Sequence, residues 1–263
     1  MSTVRKPYPP RDPRNKDPFF YGWRDTYRVG ADGRKEYVQV PLTPEDVLHP
    51  QEDDHIMLGD AHDDDTSYLK NIFRIQLADD ATARVFSDLG IYWDIPELGH
   101  HSPDIAVIFG IRRAQRNWKS FYVAKEGVRP SLLLEVTSPS TRKIDFHDKR
   151  RDYYQAGVPY YIIVDEQLRR DQRSLRILGY HYGRRGYERL PLNRQGRLWL
   201  EPVGLWLGQE NGRVACYDAQ GNRLVDYSEL AQARQAEAQA RAAAEERVRQ
   251  LEEELRRLRG NHA

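Results

Sequence analysis

The stretch LLLEV at residues 132–136 decides the fold, because it is a continuous apolar run of strand length that carries one carboxylate. Such a run is typical of a strand that is buried on both faces. Two similar runs lie on either side of it, IAVIF at residues 105–109 and YYIIV at residues 160–164. Between the second and third runs, residues 144–157 have a helical pattern closed by a glycine. Strand, strand, helix and strand in this order predict an α/β fold whose sheet contains a right-handed crossover.

The segments around this core carry further signals of secondary structure. Residues 43–46, TPED, combine an N-cap threonine, a proline and two acids, which predicts a short helix. Apolar residues recur at helical spacing over residues 62–78, which predicts a longer helix. A hairpin turn is expected at residues 29–33 and a loop at residues 112–119. Beyond residue 174, short β-prone runs separated by glycines indicate an antiparallel meander.

The two ends of the chain differ from its middle. Residues 1–20 are rich in proline and charge and hold too few apolar residues to order themselves, so we expect a disordered segment. Residues 21–227 then form the folded domain. Residues 228–260 contain seven arginines and seven acids, and their last apolar residues follow the 3-4-3 spacing of a coiled-coil seam: Val248, Leu251, Leu255 and Leu258. We therefore expect residues 228–263 to be a coiled-coil tail through which the protein forms a homo-oligomer.

The composition excludes several classes of protein. The 28 aromatic residues (16 Tyr, 7 Phe and 5 Trp) are too many for a wholly disordered chain, although the mean hydropathy is -0.81. The formal net charge of +1 is not that of a strongly basic protein that coats nucleic acid. Cys216 stands alone, which excludes an internal disulfide or a thiolate metal cluster and predicts a buried, unreactive thiol. No apolar run approaches the roughly 18 residues that span a bilayer, and no secretory signal is present, so we expect a soluble, cytoplasmic protein.

Two acids, Asp104 and Glu135, interrupt the buried strands. Asp104 stands directly before the first run and Glu135 lies inside the second. A buried carboxylate is unfavourable unless it is paired, protonated or bound to a cation. If the two strands are neighbours, both acids meet at one edge of the sheet and, with the main-chain carbonyl of Val136, make a hard oxygen site suited to Mg²⁺ or Mn²⁺. The alternatives are that Asp104 is a loop acid after Pro103 and that Glu135 is the buried partner of an arginine.

The helix after Glu135 supplies a further candidate, Lys149. With Asp145 as the N-cap, Lys149 falls on the side that faces the sheet, from which it either reaches outward to solvent or points at the carboxylates. His62 opens the longer helix beside an acidic run, where a cap or surface residue is the more common role of a histidine. The acidic run suits the helix dipole as well as a metal ion. Asp165, after the third run, is interpreted as a turn residue.

Four motifs then follow one another in a specific order. They are SPDIAV at 102–107, LEVTSPST at 134–141, Asp145 with Lys149 and Tyr153, and GVPYY at 157–161 with Asp165 after it. This string resembles the Uma-two family of restriction-like endonucleases, which belongs to the PD-(D/E)xK nuclease superfamily. The resemblance covers roughly residues 45–190, and the tail rich in alanine, arginine and glutamate is also similar to tails in that family.

The resemblance implies a restriction-endonuclease-like domain, with a mixed central sheet flanked by helices, in which Asp104 and Glu135 are the two acids of the site. The superfamily's lysine would follow two residues after the second acid, but Thr137 stands there. Lys149 matches a lysine moved onto the next helix. His62 matches a histidine that opens the family's first helix, and His62 and Tyr153 are accessory candidates.

The leading hypothesis is therefore a metal-dependent phosphodiesterase that acts on DNA with Asp104, Glu135 and Lys149. Mg²⁺ or Mn²⁺ would be bound by the two acids and the carbonyl of Val136. The basic residues that follow the second motif are candidate phosphate contacts, with an ordinary charged helix surface as the alternative: Arg142, Lys143, Arg150 and Arg151. The second hypothesis is a catalytically inactive protein with a nuclease fold, which binds nucleic acid or assembles through its coiled tail.

Overall fold

The computed structural model describes residues 17–30, 33–112, 116–169 and 172–260. Most of the segment expected to be disordered, residues 1–16, lies outside the described residues, as do the centres of the predicted hairpin turn and of the predicted loop. Within the predicted loop, residues 112 and 116–119 are described, and they form neither helix nor strand.

All four helices that the sequence predicts are present in the described residues, together with two short helical segments that it does not predict. They are α1 Pro44–Leu48, α2 Asp60–Gln76, α3 Val123–Glu126, a π-helical segment Ile144–Lys149 that continues as α4 Arg150–Gln155, and α5 Tyr227–Gly260, with a short 3₁₀ turn at Pro96–Leu98. The start of α1 is the predicted one, because the Thr43 and Asp46 side chains each bond the other residue's main-chain N–H. Every helix in this part of the chain is too short or too polar to cross a lipid bilayer.

The strands form one large sheet and three small ones. They are β1 Gly22–Val29, β2 Lys35–Pro41, β3 Asp54–Ile56, β4 Arg84–Phe86, β5 Gly90–Tyr92, β6 His100–His101, β7 Ile105–Ile108, β8 Ser120–Tyr122, β9 Leu132–Thr137, β10 Tyr160–Arg169, β11 Gln172–Gly183, β12 Gly186–Arg189, β13 Leu198–Leu200, β14 Leu205–Glu210 and β15 Arg213–Tyr217. The large sheet has the order β12-β11-β10-β9-β7-β4. The small sheets have the orders β2-β1-β3, β6-β5-β8 and β13-β14-β15.

The large sheet is mixed, and its centre is built from the three apolar runs. β9 and β10 are parallel and are joined through the π-helical segment and α4, whereas β7 is antiparallel to β9. β10, β11 and β12 follow one another antiparallel, as expected for a meander. The predicted α/β fold with a mixed central sheet and a C-terminal helix is therefore confirmed.

Alternation along the central strands divides the core into two layers. Ile105, Val107, Leu132 and Leu134 pack on one face with α2 and the β13-β14-β15 sheet. The intervening residues, such as Ala106 and Leu133, pack on the other face with α4 and the β6-β5-β8 sheet. Glu135 shares its face with Leu133, because successive side chains in a strand point to opposite sides. The strand pattern therefore directs Glu135 toward the layer that contains α4.

The helical stretch after β9 begins earlier than predicted, and Asp145 is not its N-cap. The chain is already helical at Arg142, and the Ser138 side chain accepts from the main-chain N–H of Thr141 at 3.2 Å. Asp145 is consequently an interior residue, buried at 1% exposure. The opposite end is the predicted one: Gly157 has a left-handed φ of 72°, and the next N–H bonds back to the carbonyl of Tyr153.

The acidic run at the start of α2 has a structural role at Asp65. This carboxylate is fully buried and pairs with Arg173 of β11 at 2.7 Å and with Arg213 of β15 at 3.0 Å. It also accepts from the main-chain N–H of Val214. Asp65 thus fastens α2 to two sheets, and Cys216 of β15 is buried there as predicted.

A second compact unit begins at Val225 and contains α5. Asp226 caps this helix, since its carboxylate accepts from the N–H of Glu229 while the Glu229 carboxylate accepts from the N–H of Asp226. Along α5, Val248 is 54% exposed and Leu251 is 44% exposed. An isolated helix of this kind gains only about 0.2–0.5 kcal/mol from each favourable charge pair four residues apart, so its apolar seam favours a partner.

We therefore predict that the full-length protein is an oligomer and that deletion of residues 228–263 makes it monomeric. Light scattering of both proteins at micromolar concentration measures this change. A monomeric full-length protein would show that the seam does not self-associate.

Candidate active site

Asp104 and Glu135 lie side by side at one edge of the large sheet. The β7–β9 register pairs Ile105 with Leu134, so the residue before β7 stands next to Glu135. The Asp104 carboxylate accepts from the main-chain N–H of Val136 at 2.6 Å, and the N–H of Asp104 points at the Glu135 carboxylate at 3.5 Å. The sequence-based expectation that the two strands are neighbours is therefore confirmed, and both carboxylates are buried.

Lys149 reaches this pair from the helical stretch that crosses the sheet. Its Nζ lies 2.8 Å from Oε2 of Glu135 and 3.1 Å from Oδ1 of Asp145, and the lysine side chain is buried. Of the two options for Lys149, the side chain thus points at the carboxylates and does not reach outward. Thr137 lies on the same face of β9 as Glu135, so a helix over that face can supply the cation that the strand lacks.

Tyr153, one turn after Lys149, fixes the other side of Glu135. Its hydroxyl donates to Oε1 of Glu135 at 2.8 Å, and the Tyr153 ring is completely buried. Both oxygens of the Glu135 carboxylate therefore have a donor from the same helical stretch. In the described part of the chain, the partners of Glu135 are Lys149 and Tyr153 and not an arginine, which was the alternative for this residue.

His62 stands on the open side of Asp104. Its Nε2 lies 3.4 Å from Oδ1 of Asp104, and the residue is only 5% exposed, so it is neither a cap nor a surface residue. Burial lowers the pKa of His62, but the charge and hydrogen bond of Asp104 together with the charges of Asp63 and Asp88 outweigh it and raise the pKa to about 9. Asp104 itself has a lowered pKa, since attraction from His62 and Lys149 exceeds the effect of burial.

The site holds more carboxylates than its own cations neutralise. Burial, with repulsion from Asp104 and Asp145, raises the pKa of Glu135 to about 8 despite the attraction of Lys149. Burial also raises the pKa of Asp145. The surrounding carboxylates raise the pKa of Lys149 against the effect of its burial, so the lysine stays protonated at neutral pH. A local deficit of positive charge is what a bound divalent cation would remove.

Asp88 is a further residue of the site, and no sequence motif predicts it. It adopts a left-handed φ of 52°, and its main-chain N–H donates to the carbonyl of Pro103, directly before Asp104. Asp88 is partly exposed to solvent. Burial of its carboxyl group by the walls of the cleft, followed by the negative charge of Asp104, nevertheless raises the pKa of that group. A single aspartate in a turn between two short strands carries no sequence pattern by which to recognise it.

These groups line a cleft of about 570 Å³: His62, Asp88, Asp104, Glu135, Val136 and Lys149 are among its walls. Carboxylate oxygens with a main-chain carbonyl are suitable ligands for a hard cation such as Mg²⁺, which keeps several of its waters. In the described part of the chain, no group of three or more His, Cys, Asp or Glu side chains has a metal-binding arrangement. A cation would therefore be held by two carboxylates, the main chain and water, and the residues present fit that mode.

The predicted phosphate contacts do not line this cleft in the described structure. Arg142 pairs with Asp165 at 2.8 Å, and Arg151 pairs with Asp148 and Asp152. Lys143 is exposed beside them. Their participation in binding stays a prediction.

The interpretation of Asp165 as a turn residue was wrong. β10 continues past it to Arg169, and Asp165 is completely buried among Thr137, Arg142 and Arg176. The run of apolar residues ends at Val164 only because the next position is used for this ion-pair cluster. Because the residues after Val164 are polar, the sequence pattern underestimated the length of this strand.

A buried polar chain supports Tyr153 from behind. The Trp93 indole N–H donates to Nδ1 of His101 at 2.8 Å, and Nε2 of His101 lies 3.3 Å from the Asp152 carboxylate. The His101 ring packs edge-on against Tyr153, with 5.2 Å between centroids. Because an indole N–H can only donate, Nδ1 must be unprotonated and His101 must be neutral.

An acidic cleft at the edge of a mixed α/β sheet, with a lysine held on its carboxylates, is the arrangement expected of a nuclease-like protein. The model of the Uma2 family, described as "Putative restriction endonuclease", matches residues 35–233, and the chain belongs to this family. The family expected from the sequence motifs is thereby confirmed.

A solved structure that is similar to the chain is described as that of "a putative nuclease belonging to DUF820 from Anabaena variabilis ATCC 29413". The identity is 13% and the TM-score 0.38, over 59% of this chain and 72% of that chain. A search of curated proteins finds no match.

Lys149→Met should lower the free energy of unfolding by about 3–5 kcal/mol, because it leaves Glu135 and Asp145 buried without their cation. The double variant Glu135→Gln/Lys149→Met should be more stable than Lys149→Met alone, since one uncompensated carboxylate is gone. Urea unfolding at neutral pH measures both. The matched control is Lys143→Met on the exposed side, and an equal effect of the two single variants would contradict the buried ion pair.

The stability that His101 contributes should be lost in acid. Burial lowers the pKa of His101 to about 4 against 6.5 in an unfolded chain, so the unfolded state binds a proton between these values and the folded state does not. The free energy of unfolding of the wild type, relative to His101→Gln, should therefore fall by roughly 3 kcal/mol from pH 7 to pH 4. Denaturant titrations at several pH values measure this difference; a constant difference would show that His101 is not held neutral.

Proposed function

We propose that the protein is a metal-dependent endonuclease that hydrolyses phosphodiester bonds of DNA. The observation that carries this proposal is the contact of Lys149 with Glu135 at 2.8 Å, next to Asp104, in an open cleft at the sheet edge. Membership of a family described as "Putative restriction endonuclease" supports the reaction class. The surplus of carboxylates over cations supports the need for a divalent ion.

Asp104, Glu135 and the carbonyl of Val136 would hold Mg²⁺ or Mn²⁺. When bound, such an ion lowers the pKa of a coordinated water and offsets charge on the phosphate oxygens. The chain's own contribution is to hold its oxygen ligands in place: Val136 N–H orients Asp104, and Tyr153 and Lys149 orient Glu135. Because these ligands are already held in place, little free energy would be lost in ordering them when a cation binds.

Lys149 acts in this proposal as a fixed positive charge and not as a general base. Its carboxylate neighbours raise its pKa, so it has no free electron pair to accept a proton at neutral pH. Its charge instead opposes the negative charge that grows on phosphate when water attacks phosphorus and the bond to the leaving oxygen breaks.

His62 is a second cation at the same edge. Its raised pKa keeps it protonated at neutral pH, and Nδ1 is buried with no hydrogen-bond partner in the described structure. A protonated imidazole beside Asp104 would add positive charge next to the place where a phosphate would bind. This assigns His62 the accessory role that the family resemblance implies.

The wild type should nick supercoiled plasmid with Mg²⁺ or Mn²⁺ and should show no cleavage in EDTA. Asp104→Asn and Glu135→Gln should each lose cleavage, because each removes a charged ligand, and should lose the rise in melting temperature that Mn²⁺ gives the wild type. Glu36→Gln on the exposed strand β2 is the matched control and should behave as the wild type. Agarose gels and thermal shift assays measure the two effects.

If the wild type cuts no supercoiled, linear or single-stranded DNA with either ion, the inactive nuclease-fold alternative replaces this proposal. Cleavage that persists in both acid variants would instead place the chemistry elsewhere in the chain.

A further inference from the structure

Four arginines lie in a row along the same helical stretch and the strands β11 and β12. Arg142, Phe146 and Arg150 recur every four residues on the helix, and Arg176 and Tyr180 recur at the same spacing on one face of β11. Arg189 of β12 is paired in register with Tyr180. We call Arg142, Arg150, Arg176 and Arg189 the arginine stripe.

Two aromatic rings order the stripe. The guanidinium groups of Arg142 and Arg176 lie 5.6 and 5.7 Å from the centre of Phe146. Those of Arg150 and Arg189 lie 5.5 and 5.4 Å from the centre of Tyr180. Contact with a ring uses the face of the planar guanidinium and leaves N–H groups at its edge for an anion.

Asp165 holds the first pair in position without neutralising the stripe. The buried carboxylate bonds to Arg142 and to Arg176, whose side chains are each 48% exposed. One carboxylate against four guanidinium groups leaves a local surplus of positive charge. The chain as a whole is almost neutral, at +1, so this surplus is a feature of the stripe and not of the composition.

We propose that the arginine stripe binds the phosphate backbone of the DNA duplex on which the cleft acts. The inference rests on the proposed function and adds Arg176 and Arg189, which no sequence motif marks. Arg142 and Arg150 stand about two turns apart along the helical stretch, so they can contact separate phosphates of the backbone. The rings of Phe146 and Tyr180 are already covered by guanidinium groups, so they do not stack on DNA bases. The stripe would therefore contact the backbone and contribute no sequence preference.

The test is the salt dependence of DNA binding by the full-length protein in EDTA. Fluorescence anisotropy with a short labelled duplex gives the affinity over a series of NaCl concentrations. Removal of two phosphate contacts in Arg150→Gln/Arg189→Gln should reduce the slope of log affinity against log salt by about two units. These two arginines are the first choice because, in the described structure, neither is paired with a buried carboxylate.

Arg142→Gln/Arg176→Gln is the second variant, with its melting temperature checked because Asp165 loses both arginines. Arg28→Gln/Arg194→Gln is the matched control: it makes the same change of charge at exposed positions in β1 and in the loop before β13, and should keep the wild-type slope.

An unchanged slope in Arg150→Gln/Arg189→Gln, or an equal reduction in the control, contradicts DNA binding by the stripe even if the wild type cuts DNA. Failure of the wild type to bind the duplex also overturns it. Specific loss of slope in a protein that cuts no DNA with Mn²⁺ supports the stripe and overturns only the proposed nuclease activity.

Discussion

The contact between Glu135 and Lys149 is the constraint on which the rest of the site depends. A carboxylate inside a central strand is unfavourable unless charge and hydrogen bonds compensate it. The helical stretch between β9 and β10 supplies both, through Lys149 and Tyr153. This requirement determines which side of the stretch faces the sheet, and therefore where the connection between the two parallel strands crosses it.

The same helical stretch joins two regions of opposite charge. Its inner side carries Asp145, Lys149 and Tyr153, which complete the acidic cleft. The neighbouring row of side chains carries Arg142 and Arg150, which belong to the arginine stripe. The proposed function uses both properties, because a cation needs carboxylates and a phosphate backbone needs positive charge. One short segment provides the two because adjacent rows of side chains along it carry different groups.

Buried acids in this chain serve two different purposes, and their partners distinguish them. Asp65 and Asp165 are each paired with two arginines, outside the cleft, and hold elements of the fold together. Glu135 and Asp145 instead share the single Lys149, and their pKa values are raised. Burial together with an excess of carboxylates over cations marks the cleft as the place where an ion and an anionic substrate would fit.

The sequence by itself determined the α/β class, the three central strands, most helix positions and the two acids, because buried strands and amphipathic helices impose periodic patterns. Helical spacing placed Lys149 on the sheet-facing side, but it was the resemblance to the nuclease family that favoured Lys149 as a site residue. Only the tertiary structure decided that Asp145 is an interior partner of Lys149 and that Asp165 lies within a strand. It also decided that Asp88 lines the cleft and that Arg176 belongs to the stripe. These contacts join residues far apart in the chain or depend on the start of the helix and the end of the strand. Local pattern carries no information about pairings that form only when separate elements pack together.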